Sequence, residues 1–199
     1  MCANIEAIRD DVDAINRDEI SLGVVLYDLS FAAEYGHGST SKAIESIHAS
    51  RQHADRAVVA AAAGNALMAA KHEAQAAAAE ADAVHMLERA EGYANDLRGG
   101  LDTATEIAGS ALGRARSLVK VDDSSPAAEI HTKIAAQPEA LGAMAQRAEE
   151  IHLRVPGSRD PAELRVAAEH FIALRYELEE GSGRAQEIAS DSLGYGNQI

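Results

Sequence analysis

The sequence predicts an all-α protein: an elongated helical hairpin or bundle with a long Ala-rich helix, followed by a C-terminal helical hairpin. Three observations lead there. Ile5, Ile8, Val12, Ile15, Glu19, Leu22, Leu26, Leu29 and Ala33 recur at alternating steps of three and four residues, one helical face sustained over several heptads, with Glu19 the single misfit. Alanine dominates the 47% of residues that are apolar, against two Phe, five Tyr and no Trp, so burial per residue is small and closely packed helices suit the chain better than a thick core. No segment reads as a strand.

Each element follows in order. The first helix carries this seam, and Ile20, Val24, Tyr27 and Phe31 add a second stripe to its C-terminal half, which is therefore expected to be covered on more than one side. Gly36 reads as its left-handed cap. A second helix is expected from Ser41 through the alanine belt to Val84, Leu87, Tyr93 and Leu97, ending at Arg98-Gly99-Gly100, with Gly64-Asn65 as a place to bend. Residues 101 to 119 form a further helix, with Thr103 and Glu106 spaced as a capping box. The stretch VDDSSP gathers acid, serine and proline between periodic segments and reads as a boundary. The expected organisation is a helical hairpin or bundle at 1–120, a linker at 121–125, a helical hairpin at 126–180 and a mobile tail at 181–199. Within 126–180, Pro126 and Pro138 read as first-turn residues of two helices, and Val155-Pro156-Gly157 stops the second. Asp160-Pro161-x-Glu163 then starts the last with an N-cap, a proline at N1 and an acid at N3.

Charge narrows the function. The chain carries 32 Asp and Glu against 18 Lys and Arg, a formal charge of −14, with no basic run longer than two. Nucleic acid and anionic membrane surfaces need clustered cations, so neither is an expected partner. The longest apolar stretch, AVVAAAAGNALMAA at 57–70, falls short of the about 20 residues a membrane span needs. No basic segment followed by an apolar one opens the chain, so the expected location is cytoplasmic, or reached by export without a classical signal peptide. The single Cys2 cannot form an internal disulfide and reads as an incidental residue.

Two stretches invite a catalytic or ligand reading. GHGSTSK at 36–42 has the composition of a phosphate cradle, but Ser41 precedes Lys42 where a P-loop needs glycine, Ala43 follows it where Ser or Thr is needed, and a helix stands where the strand should be. The stretch reads instead as a turn. Four of the eight histidines, His37, His48, His85 and His152, have an acid three residues earlier. Glu45/His48 and Glu149/His152 would supply the two Glu-x-x-His pairs of a ferritin-like metal bundle, the alternative function for this chain. Pairing of acid and histidine along a solvated helix face accounts for the same spacing without a metal. No cofactor is expected and no nucleophile stands in a catalytic context, so the chain is not expected to be an enzyme.

What remains is helix-to-helix contact. Val84, Leu87, Tyr93 and Leu97 are the largest side chains in the later part of the Ala-rich helix and are the expected seam for a protein partner or a weak homodimer. An acidic heptad helix, the GHGS stretch and then ASRQHADRAVVAAAAG resemble the Ala-rich helical modules that actinobacterial proteins place beside type VII secretion and polymorphic-toxin partners. Tyr176 and Glu180 resemble the Tyr-x-x-x-Asp/Glu signal that such secretion substrates carry after a helical hairpin, although the Trp-x-Gly turn of that family is replaced by Pro156-Gly157-Ser158. The resemblance implies a non-enzymatic interaction protein, a secretion-linked or toxin-linked partner, with Tyr176 and Glu180 as its export signal.

Overall fold

The computed structural model describes residues 2–199, with side chains from residue 5 onward. The reading of Cys2 therefore concerns a side chain outside the described ones. The chain is an all-α four-helix bundle, 92% helical, with no strand among the described residues. Its helices are α1 (Cys2–Ala62), α2 (Ala66–Val121), α3 (Ser125–Arg154) and α4 (Pro161–Gly196).

The joints sit where the backbone leaves the helix for a stated reason. Between α1 and α2, Gly64 takes a φ of 73°, open to glycine at little cost, and Asn65 Oδ1 accepts from Met68 N at 3.1 Å as the N-cap of α2. Between α2 and α3, Asp122 Oδ1 accepts from Ser124 N at 3.1 Å. Between α3 and α4, Gly157 has a φ of 70° and Asp160 Oδ1 accepts from Ala162 N at 2.9 Å, with Pro161 as the first residue of α4.

Several expected breaks are absent. Residues 36–42 are helical, so GHGSTSK is not a turn, and Gly36 does not take the positive φ of a cap. A Cβ at Gly36 would overlap the ring of Phe171, so the glycine serves close approach of α1 and α4. Gly100 meets Leu29 in the same way, and α2 runs through Arg98-Gly99-Gly100 without stopping. Gly181 lies against Leu26 and Met144, and what was expected to be a mobile tail continues as α4 to Gly196, burying Ala185, Ile188, Ala189 and Tyr195. Pro138 lies inside α3 and does not begin a helix of its own. Its missing N–H leaves one intrahelical bond unmade, a cost the packing of Ile134, Leu141 and Met144 offsets.

The helices form two compact units, and these are not the expected halves. The first comprises Met1–Phe31, Asp96–Arg147 and Leu174–Ile199; the second comprises Ala32–Asn95 and Ala148–Ala173. The loop at 122–124 thus lies inside one unit and does not divide two domains. Long helices that pair along their length make such units from segments far apart in sequence.

In the first unit, α1 meets α2 at Asp18–Arg114 and α4 at Asn16–Ala189 and Gly23–Ser182, each in antiparallel register, and meets α3 in parallel at Glu19–Gln137. Ile8, Val12, Ile15, Leu118, Ile130, Ile134 and Ile188 fill its core between small alanines at 111, 115 and 127. In the second, the Tyr35 and Tyr93 rings lie 5.8 Å apart and those of His53 and His72 5.7 Å apart, which sets α1 and α2 antiparallel. Its core holds Ala33, Ile47, Leu87, Ala90, Ile151, Leu164 and Phe171.

Candidate functional site

Helix α1 has two apolar faces and only one of them is used. Val12, Ile15, Leu22, Leu26 and Leu29 are buried. On the other side Ile20 is 51% exposed, Val24 55%, Tyr27 51% and Phe31 39%. Their spacing of four, three and four residues keeps them on one side of the helix, so they form a continuous stripe and not scattered apolar residues. The rings of Tyr27 and Phe31 stand edge to face, 5.0 Å apart at 85°, which holds them as one aromatic ledge. The expectation that this stripe is covered by the chain itself is corrected: the three other helices take the Leu22, Leu26 and Leu29 side of α1. Arg17, Asp28 and Glu34 are exposed charged residues beside the stripe on the helix.

The residues singled out from sequence are distributed differently. Leu87 is 5% exposed and Leu97 0%, while Val84 and Tyr93 are half-buried, so the two leucines of the expected interaction seam are taken up by the chain's own packing. Tyr176 and Glu180 are both exposed, one turn apart, in the interior of α4 and not beyond the end of a helical hairpin. The Arg175 guanidinium lies 5.9 Å from the Tyr176 ring centre and Arg184 pairs with Glu180 at 2.7 Å. Glu45 and His48 are exposed on α1, whereas Glu149 and His152 are half-buried on α3. No group of three or more His, Cys, Asp or Glu side chains able to hold a metal ion gathers among the described residues, so these four do not form a ferritin-like ligand set. Among the described residues no helix is long and apolar enough to cross a membrane.

Glu19, the misfit of the heptad seam, is wholly buried. Gln137 Nε2 donates to its Oε2 at 2.6 Å, while its Oε1 has no partner. Burial pushes its carboxyl up to about 7; the Gln137 hydrogen bond opposes that rise and the Asp18 charge adds to it. Position 19 was legible in the sequence as a break in the pattern, but its partner was not, because nothing in the local spacing links residues 118 positions apart.

Comparison with protein-family models, with curated proteins and with solved structures finds no match for this chain.

Proposed function

We propose that this chain is a non-enzymatic interaction protein that receives an amphipathic helix of a partner protein along the Ile20, Val24, Tyr27 and Phe31 stripe of α1. The observation that carries the reading is the exposure of four large apolar side chains at heptad spacing on a helix whose opposite side is already packed. Such a stripe is the half-site that a single helix completes, with anchors at three- and four-residue steps. The chain's charge of −14 favours a partner helix with basic flanks, which steers association and excludes a like-charged surface. Export as a secretion-linked or toxin-linked partner is the narrower form of this proposal, and the exposure of Tyr176 and Glu180 on one side of α4 supports it.

The test is capture of interacting proteins from the native host by the wild-type chain and by a Val24→Asp, Tyr27→Asp double variant. Because both positions are exposed, the double variant is expected to keep its melting temperature while losing one specific, stoichiometric partner. An unchanged set of partners overturns the reading. Export is read separately, by secretion of a Tyr176→Ala, Glu180→Ala variant, whose unaltered export removes the signal.

A further inference from the structure

The apolar stretch at 57–70 is too short to span a membrane, and the fold places it at the end of the α1–α2 hairpin. Arg51 donates to the Arg159 carbonyl oxygen at 3.1 Å and Arg159 pairs with Glu80 at 3.1 Å, so the loop between α3 and α4 meets the hairpin at that level. Between residues 52 and 79 only Ala57 and Ala69 are buried. The two arms run on past that loop as a bare hairpin, about 16 Å long from Arg51 to Ala62. Val58 is 69% exposed, Val59 70% and Leu67 82%, each more than any member of the α1 stripe, with Met68 next to Leu67 on α2. Val58 and Val59 are neighbours in sequence and lie about 100° apart around α1, so the apolar surface wraps the arm. A single partner helix covers one stripe and would leave the rest of such a projection in water. A bilayer covers all of it.

The turn satisfies much of its own backbone, as a lipid environment demands. Ala63 N donates to Val59 O at 3.1 Å, Gly64 N to Ala61 O at 2.9 Å and Asn65 N to Ala60 O at 2.9 Å. Met68 N and Ala69 N donate to the side-chain and backbone oxygens of Asn65. Charge gives the second reason. No charged residue occurs from 57 to 70, and the first on either side, Arg56 and Lys71, are exposed cations in a chain of −14. Their stems lie along apolar surface at low cost while the cationic groups meet lipid phosphates. The charge of the whole chain repels an anionic surface, which leaves a zwitterionic bilayer as the match.

We propose that the end of the α1–α2 hairpin inserts shallowly into a zwitterionic lipid bilayer, with Val58, Val59, Leu67 and Met68 among the upper acyl chains and Arg56 and Lys71 at the phosphates. The site is separate from the α1 stripe, so the two stand or fall by separate experiments.

Flotation of the full chain with phosphatidylcholine vesicles tests it, together with a Leu67→Trp variant that puts a single tryptophan into a chain that has none. The wild type is expected to float with the vesicles and to stay bound when salt is raised. A Val59→Glu, Leu67→Glu double variant is expected to keep its melting temperature, because both positions are exposed, and to bind about tenfold more weakly or worse. The Val24→Asp, Tyr27→Asp variant is expected to float as the wild type does. The Leu67→Trp emission is expected to shift to the blue with vesicles, quenched more by lipids brominated near the head group than by lipids brominated at the chain ends. Should the double glutamate variant fail to fold, that emission decides. Wild-type protein that does not float overturns the proposal, as does undiminished flotation of a folded double glutamate variant. Release by salt marks attraction through Arg56 and Lys71 alone and overturns it too. Loss of a partner protein by the double glutamate variant, with vesicles ignored by the wild type, would assign the hairpin end to a protein and overturn it equally.

Discussion

Glu19 is the residue whose chemistry is least like its neighbours'. A carboxylate in an apolar seam with one hydrogen bond is costly, and the protein relieves the cost by holding the proton: the carboxyl's pKa stands at about 7 against an ordinary value of 4.5. The folded state therefore binds this proton more tightly than the unfolded chain does. Its contribution to stability is full below pH 4.5 and is lost as pH rises through 7, amounting to about 3 kcal/mol between the two limits. Glu19→Gln keeps the shape and removes the titration. Urea unfolding of that variant is expected to match the wild type near pH 5 and to exceed it by about 1 to 3 kcal/mol near pH 8.5. A wild-type protein as stable at pH 8.5 as at pH 5, or a variant with the same pH slope as the wild type, would show that water reaches this carboxyl.

At the scale of the helix, glycine is where sequence and structure part. The all-α class was legible, because period and composition are local properties, and so were the stops at VDDSSP and VPGSRDP, where proline and side-chain caps act within a few residues. Gly36, Arg98-Gly99-Gly100 and Gly181 read as ends for the same local reason, yet α1, α2 and α4 pass through them. A glycine in a helix costs only about 1 kcal/mol relative to alanine, less than the packing it permits when a large side chain needs the space of its missing Cβ. That large side chain is Phe171 at Gly36, Leu29 at Gly100, and Leu26 with Met144 at Gly181, and each lies on a helix distant in sequence, which no local pattern reveals. The candidate face followed the same logic: the stripe from Ile20 to Phe31 was legible, but whether another helix covered it was not. Gly36→Ala should accordingly destabilise the protein by about 1 to 3 kcal/mol through overpacking against Phe171, although alanine is the better helix former. Lys42→Ala, at an exposed position one and a half turns on, should stay within about 0.5 kcal/mol. Combining Gly36→Ala with Phe171→Leu should cost less than the sum of the two single changes, because the smaller side chain makes room for the added methyl. Strict additivity in denaturant unfolding would show that the two residues do not touch.

For the molecule as a whole, self-association is decided between apolar stripe and net charge. With Leu87 and Leu97 buried in the chain, the Ile20 to Phe31 stripe is an apolar surface left exposed on α1, and a second copy is the simplest helix that could cover it. A stable dimer buries about 800 Å² on each partner, more than four partly exposed side chains on one helix provide. Each copy also carries −14, and at 0.1 M salt charges interact over about 10 Å, the distance between packed helices. Both considerations point to a partner other than the chain itself. The protein should therefore sediment as a monomer at 0.1 M salt, with any self-association weaker than about 0.1 mM. Raising the salt to 1 M shortens the screening length to about 3 Å and should strengthen self-association if the stripe meets its own copy, an effect that Tyr27→Asp should remove. A tight dimer at low salt, indifferent to both salt and Tyr27→Asp, would place the interface on another face and remove charge as the force that keeps two copies apart.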